Sequence, residues 1–342
     1  MKCSWPHMAT LLTAAAIGLA SASASPQPAS PTPGKNLTIC LLPKKKGVPY
    51  FTTCAKGAEE AAKELGNIEL IYDGPTDGSP EKAASMVDRW ALQRVDVIAV
   101  SPNDPQVLGQ AMKKARAKGI KVITWDADAA PDTREFLVNQ ATAKDIGYAL
   151  VDAMAKDLGG ADPTSASGEV AIITASLTAA NQNEWMKYMQ ERLASYPKMK
   201  LVATKPSNED QRLAFQVTQD LMKAYPNLKG IFGISSVAFP GAAEAVKQAG
   251  KSGQVLVTGL ATPNDMKPYV HDGTVKSVIL WNTIDLGYLT IRAAEALATG
   301  KLHPGDKSFE AGRLGTKQID GDQILLGQIL VFTRDNIDQF DF

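Results

Sequence analysis

Short apolar runs alternate along the first third of the chain with longer segments whose apolar residues recur at every third or fourth position. Apolar runs bounded by turn residues are typical of buried strands, and the longer period is typical of helices that pack one face on a sheet. Strands are predicted over 37–42, 69–72, 95–100 and 121–124, and helices over 51–65, 80–94 and 105–118. Because these strands are apolar on successive residues, they indicate a parallel sheet covered by helices on both faces.

A second set of strands and helices repeats this alternation. Helices are predicted over 142–158, 183–196, 210–225 and 240–249, and strands over 169–173, 201–203, 230–233 and 255–258. The polar segment 126–131, which ends in a proline, is the predicted crossing between the two sets. A short helix over 264–270, a strand over 275–280 and a long helix over 284–299 remain. These surplus elements predict that the chain returns to the first lobe, so the fold class is α/β with two doubly wound lobes.

The segment before the first predicted strand carries the features of an export signal. Lys2 precedes an apolar stretch over 8–19, and Ala22-Ser23-Ala24 supplies the small residues that signal peptidase recognises. The apolar stretch is shorter than the roughly 20 residues that span a bilayer. We therefore predict a signal peptide over 1–24, a disordered Pro- and Ser-rich tether over 25–35, and a periplasmic location.

The predicted export signal implies that the chain is cleaved after Ala24. Mass spectrometry of the exported protein is expected to find Ser25 at the N-terminus. A lipidated or an uncleaved product would contradict this prediction.

Charge and cysteine content narrow the range of partners. The chain has 36 basic and 36 acidic residues, a balance that does not favour binding to nucleic acid or to anionic lipid. Cys40 is predicted inside a strand and Cys54 early in a helix, which favours two buried thiols over a disulfide. The three histidines, His7, His271 and His303, are scattered, so no metal-ligand spacing and no cofactor is predicted.

No catalytic constellation stands out in the sequence. The motifs G-x-G-x-x-G, G-x-x-x-x-G-K-[ST], G-x-S-x-G and H-E-x-x-H are absent from it. Asp126 and Asp128 follow a strand, but two residues apart on an extended segment they point to opposite sides. The sequence therefore predicts a binding protein without catalytic residues.

Polar and aromatic side chains cluster at the predicted carboxyl ends of strands, where ligands bind in open α/β sheets. Carboxylates and amides suit the hydroxyls of a neutral polyol, a lysine can donate, and an aromatic ring suits its apolar face. The predicted ligand-binding residues are Lys44, Tyr50, Phe51, Asp126, Asn181, Gln182, Ser235, Ser236, Trp281 and Asn282. Plainer interpretations stay open: Lys44 begins a lysine triplet typical of a solvated loop, Trp125 and Trp281 suit a core, and Asn181 suits a helix cap.

Several motifs together resemble one family, the autoinducer-2-binding and rhamnose-binding branch of the periplasmic sugar-binding proteins of ABC importers. They are Ile71-Tyr72-Asp73-Gly74-Pro75-Thr76, Thr124-Trp125-Asp126, Asn139-Gln140, Asn181-Gln182-Asn183-x-Trp185, Thr262-Pro263-Asn264-x-Met266-x-Pro268-Tyr269-Val270 and Asn336-Ile337-x-x-x-Asp341-Phe342. The resemblance implies two Rossmann-like lobes joined by three crossings, closure of the hinge on a sugar, and delivery to a membrane permease. It places the lobes at 36–127 with 282–315, and at 128–281 with 316–342. It also implies a monomer.

The two ligand branches differ at the binding residues. Lys44, Asp126 and Gln182 match the ligand-binding residues of the autoinducer-2 proteins. Asn181 stands where those proteins have an aspartate, and Ile234-Ser235-Ser236 replaces their Pro-Asp-Ala segment. Because asparagine donates as well as accepts, the pattern of hydroxyls that it recognises must differ.

Other segments are more similar to rhamnose-binding proteins. These are the stretch from Trp281 to Tyr288, Ala311-Gly312-Arg313-Leu314-Gly315 and Asn336-Ile337-Asp338-Gln339-Phe340. The resemblance thus favours a rhamnose-like monosaccharide, with hydroxyls bound by Asp126, Asn181, Gln182 and Asn282 and an apolar face packed on Trp281 or Phe51. Autoinducer-2 as the ligand, and a sensory module presented to a chemoreceptor, stay open as alternatives.

Overall fold

The computed structural model of the protein describes residues 1–2, 36–159 and 161–342. Apart from its first two residues, the predicted signal peptide lies outside the described residues, as do its cleavage site and the predicted tether. In chain order the strands are β1 (Leu37–Leu42), β2 (Ile68–Tyr72), β3 (Val97–Val100), β4 (Lys121–Trp125), β5 (Leu137–Asn139), β6 (Gly168–Thr174), β7 (Met199–Pro206), β8 (Leu228–Gly233), β9 (Leu256–Gly259), β10 (Val278–Leu280), β11 (Ser308–Glu310), β12 (Thr316–Asp320), β13 (Gln323–Leu325) and β14 (Leu330–Phe332). The α-helices are α1 (Pro49–Leu65), α2 (Pro80–Gln93), α3 (Pro105–Ala117), α4 (Ala143–Gly159), α5 (Ala180–Leu193), α6 (Gln211–Ala224), α7 (Ala238–Gln248), α8 (Pro263–His271) and α9 (Thr283–Ala298).

The first lobe is organised by a sheet with the strand order β11-β12-β13-β5-β4-β3-β1-β2. Its strands from β2 to β13 pair in parallel, and β12 and β11 add an antiparallel edge. Ile39 and Leu41 pack in the larger core, which includes α1 and α9, whereas Cys40 and Leu42 pack on the other face with α2 and α3. The sheet is therefore buried on both sides, as its continuous apolar strands predict.

The second lobe contains a fully parallel sheet in the order β7-β6-β8-β9. The antiparallel pair β10–β14 adjoins it, because isolated bridges join Val257 to Val275 and Leu260 to Ile279. The carboxyl ends of the parallel strands in both lobes are the ends that carry the polar residues of the predicted site. The predicted α/β fold with two doubly wound lobes is thus confirmed.

The strand pairing places two of the crossings later than predicted. β5 pairs with β4 and β13, so the chain leaves the first sheet only after Asn139, and the predicted boundary after residue 127 falls inside that sheet. β12 and β13 also belong to the first sheet, so the third crossing follows Leu325 instead of residue 315. The cause is strand length, since β5 and β13 have three residues each and give no periodic signal. The predicted middle crossing, after residue 281, falls between β10 and α9 and stays a prediction.

Helices α1 and α9 approach each other so closely that they exclude side chains. A Cβ atom on Gly287 would lie 1.7 Å from the carbonyl oxygen of Cys54, and one on Gly57 would lie 1.8 Å from that of Ile284. Only glycine permits such a backbone contact in the interior of two helices. These two glycines therefore fix the distance between α1 and α9.

Cys40 and Cys54 are buried free thiols, as predicted. Burial, with a smaller contribution from Glu69, raises the pKa of the Cys40 thiol to about 12. Within the described ranges no helix is long and apolar enough to cross a bilayer.

Candidate functional site

Asp126 lies at the centre of the site, immediately after β4. Its φ of +63° is left-handed, a conformation that aspartate tolerates better than most residues, and it turns the chain at the strand end. The side chain is buried, and its carboxylate accepts hydrogen bonds of 2.8 Å from the hydroxyl groups of Tyr50 and Ser101. The Lys44 ammonium lies 3.3 Å from the same carboxylate. The negative charge of Asp126 is thus held in one orientation by two donors and one cation.

Lys44 joins this carboxylate to the second lobe. Only 6% of Lys44 is exposed, and its Nζ also donates to Oδ1 of Asn181 at 3.2 Å. Asn181 belongs to the first turn of α5, and its Nδ2 lies 3.4 Å from the backbone carbonyl of Asp126. A polar network therefore crosses between the lobes.

Gln182 has a fixed amide orientation. It is buried, and its Oε1 accepts hydrogen bonds from the Thr174 hydroxyl and, at 2.7 Å, from the backbone N–H of Ala175. Both partners lie at the end of β6. These two bonds fix the orientation of the Gln182 amide, with its oxygen toward the end of β6.

Aromatic rings form one wall of the site. Nε1 of Trp281 donates to the Tyr50 hydroxyl at 3.0 Å, and the two ring centroids are 6.0 Å apart in an edge-to-face arrangement. Trp185 packs against Trp281 in the same manner at 6.2 Å. Trp125 packs against Phe51 at 5.7 Å and is fully buried in the core. Of the two tryptophans for which a core role stays open on sequence, Trp281 thus reaches the cavity and Trp125 does not line it.

These groups surround a cavity between the lobes. It is lined by Lys44, Tyr50, Phe51, Asp126, Asn181, Gln182, Trp185, Glu209, Ile234, Ser235, Ser236, Leu260, Leu280 and Trp281. The structure thus brings together nine of the ten predicted residues. Their contact with a ligand stays a prediction.

Asn282 is the predicted residue that does not line this cavity. It is the N-cap of α9, and its Oδ1 accepts a hydrogen bond of 3.1 Å from the backbone N–H of Asp285. An asparagine followed three residues later by an acid is a common start of a helix, so the sequence carries a signal for this role. Asn282 thus caps α9 through its Oδ1, and its contact with a ligand stays a prediction.

The cavity also contains residues that the sequence analysis does not select. Ile234, Leu260 and Leu280 are apolar residues at the ends of strands, where they resemble core positions. Trp185 occurs in a family motif, but its helical spacing equally fits the core.

Glu209 is the one charged residue among those missed. It follows Asn208 in the loop after β7, and both residues have left-handed backbones, with φ of +52° and +51°. Burial, reinforced by the nearby charge of Asp126, raises the pKa of the Glu209 carboxyl, against the opposing effect of Lys44 and Lys45.

The arrangement can bind a small polar molecule through donors, acceptors and an apolar wall. The part of the chain that the structure describes contains no group of three or more His, Cys, Asp or Glu side chains placed to hold a metal ion.

Comparison with known proteins agrees with this architecture. The family described as periplasmic binding protein domain matches residues 39–302. The D-allose-binding periplasmic protein of Escherichia coli is 27% identical over 268 residues, which cover 77% of this chain and 85% of that protein.

Two solved structures are similar over almost the whole fold. LsrB from Clostridium saccharobutylicum in complex with AI-2 is 28% identical, with a TM-score of 0.85, and the match covers 90% of this chain and 100% of that one. A Clostridium phytofermentas ABC transporter solute-binding protein with bound L-rhamnose is also 28% identical, with a TM-score of 0.83 and coverage of 89% and 98%.

Proposed function

Because the chain belongs to the periplasmic binding protein family, we propose that it is the substrate-capture subunit of an ABC sugar importer in the periplasm. It binds one monosaccharide between its closing lobes and presents the closed form to a membrane permease. It carries out no reaction on the sugar.

The observation that carries this proposal is the fixed carboxylate of Asp126 beside an aromatic wall in a cavity between the lobes. A carboxylate that is already oriented can accept hydrogen bonds from sugar hydroxyls with little further loss of entropy. Trp281 offers a flat surface to the apolar face of a pyranose ring. The Lys44–Asn181 bond supports closure, because it joins the two lobes directly beside this carboxylate.

The apolar part of the lining supports a deoxyhexose such as L-rhamnose. Ile234, Leu260 and Leu280 give the cavity an aliphatic region in addition to its aromatic residues. Such a region suits the methyl group of a 6-deoxy sugar better than it suits a hydroxymethyl group, which would be buried there without a partner. The similarity to the rhamnose-bound protein of Clostridium phytofermentas supports the same ligand.

Autoinducer-2 is the second candidate. Lys44, Asp126 and Gln182 are present, as the autoinducer-2 branch requires, and LsrB in complex with AI-2 is a structural neighbour. Asn181 disfavours autoinducer-2. Its amide donates toward the backbone carbonyl of Asp126, whereas an aspartate at this position would only accept hydrogen bonds. D-Allose is a third candidate, because the Escherichia coli relative is named for it. A sensory role at a chemoreceptor would use the same closed form.

Calorimetric titration tests this proposal. We expect one site per chain, recovery of the sugar unchanged, and an affinity for L-rhamnose at least about tenfold above that for autoinducer-2, equivalent to about 1.4 kcal/mol. A thermal-shift screen that includes D-ribose and D-allose identifies any sugar that binds better, because a ligand of the folded state raises the melting temperature. Preference for autoinducer-2 would contradict the choice of L-rhamnose as the ligand. Steady turnover of the sugar would contradict the proposed binding role.

A further inference from the structure

Glu209 lines the cavity from the second lobe, while Asp126 lines it from the first. The position of Glu209 depends on both lobes. Nζ of Lys45, in the loop after β1, donates to the backbone carbonyl of Glu209 at 2.9 Å. Ser235, which follows β8, lines the same cavity. The loop that carries Glu209 is therefore bonded to the first lobe at the site.

The cavity does not supply a full counter-charge for a second carboxylate. The Lys44 ammonium is paired with Asp126 at 3.3 Å, and the Lys45 ammonium bonds to a backbone oxygen instead of a carboxylate. The charged groups that face Glu209 are thus Lys44 and Lys45 from the first loop and Asp126 from the end of β4. An ionised Glu209 beside Asp126 would add uncompensated negative charge around a neutral sugar.

We propose that Glu209 makes sugar capture proton-dependent: it closes the cavity in its protonated form and donates a hydrogen bond to the ligand. The consecutive left-handed residues 208 and 209 hold the acid in this place at a conformational cost, as is common where a side chain is positioned for function. This inference rests on the proposed sugar-binding function and adds a condition to it.

The raised pKa of Glu209 sets the direction of the effect. When water reaches the carboxyl in the ligand-free protein, its pKa lies closer to the ordinary range of a glutamate than it does in the closed complex. Affinity is then highest below the pKa of the ligand-free protein, falls as the pH rises from that pKa to the raised pKa of the closed complex, and is constant above it. Binding therefore takes up protons within this range.

Calorimetry between pH 4.5 and 7.5 with L-rhamnose tests the proposal, using Glu209→Gln, Glu209→Ala and, as a matched control, Glu59→Gln on the exposed face of α1. Glutamine imitates the protonated acid, so Glu209→Gln is expected to bind with an affinity that changes less than about twofold over this range. The unchanged protein and Glu59→Gln are expected to lose at least about threefold in affinity toward pH 7.5 and to show proton uptake when buffers of different ionisation enthalpy are compared. Glu209→Ala is expected to bind more weakly at every pH.

Two outcomes would overturn the inference. In the first, the Glu209→Gln protein follows the same pH profile as the unchanged protein. In the second, a folded Glu209→Gln protein no longer binds, which would mean that the ionised acid is required. If L-rhamnose does not bind at all, the same comparison is made with D-ribose or D-allose, whichever binds, and the choice of sugar fails while Glu209 is still tested. Failure of every sugar would overturn the proposed function together with the inference.

Discussion

Replacement of Asp126 by alanine is expected to lower the affinity for the sugar at least about a hundredfold, equivalent to about 2.7 kcal/mol. The change removes an acceptor that Tyr50, Ser101 and Lys44 hold in place. It also leaves the buried Lys44 ammonium without its counter-charge, and an unpaired buried charge is costly. Calorimetric titration of the variant with the sugar that binds best measures the effect.

Two variants separate the carboxylate from its surroundings. Asp126→Asn keeps the shape of the side chain and removes its charge, so we expect a loss of affinity that is large but smaller than that of alanine. Asp145→Asn, on the exposed first turn of α4, is expected to bind like the unchanged protein. Circular dichroism checks that each variant is folded. A folded Asp126→Ala protein with nearly normal affinity would remove Asp126 from the site.

Replacement of Gly287 by alanine is expected to destabilise the fold by roughly 3 kcal/mol or more, at the upper end of the usual cost of overpacking. The new methyl group would lie 1.7 Å from the carbonyl oxygen of Cys54, and backbone in the middle of α1 cannot move aside as a flexible side chain can. Helices α1 and α9 would have to separate. The midpoint of thermal unfolding measures the loss.

Gly109→Ala provides the control for this substitution. Gly109 is also a helical glycine, in α3, but its Cβ would lie 3.4 Å from a methyl carbon of Thr133, which is close to ordinary contact. Here the better helix propensity of alanine, worth up to about 1 kcal/mol, is expected to dominate. Equal melting temperatures for the two variants would show that the distance between α1 and α9 adjusts freely.

The elements that the sequence predicts well are those with strong periodicity. The buried strands of both parallel sheets and the helices between them follow from apolar runs and helical spacing. Strands of three residues do not, and β5 is the example with the largest consequence, because missing it places the first crossing too early. Its identity as a strand comes from the parallel partners β4 and β13, which are distant in sequence.

The residues of the site likewise divide into those that the local sequence predicts and those that it does not. Asp126 and Asn181 are predictable because polar residues at the ends of parallel strands converge on one edge. Glu209 is not, because the prediction ends β7 at residue 203, whereas the strand continues to Pro206 and brings the following loop to the cavity. Ile234 and Leu260 are missed for another reason, since an apolar side chain at a strand end gives the same signal in a core and in a ligand pocket.

The late return of the chain to the first sheet has a consequence for the order of folding. Strands β12 and β13 complete that sheet only when residue 325 has emerged, so β5 lacks one neighbour during most of synthesis. The helices α4 to α7 and the sheet β6–β9 form one uninterrupted stretch that ends near residue 259. Contacts that are closer in sequence form with less loss of chain entropy. The four-stranded sheet of the carboxyl-terminal lobe can therefore form early, whereas both lobes are completed only by segments made near the end of synthesis, β13 in the first lobe and β14 in the second.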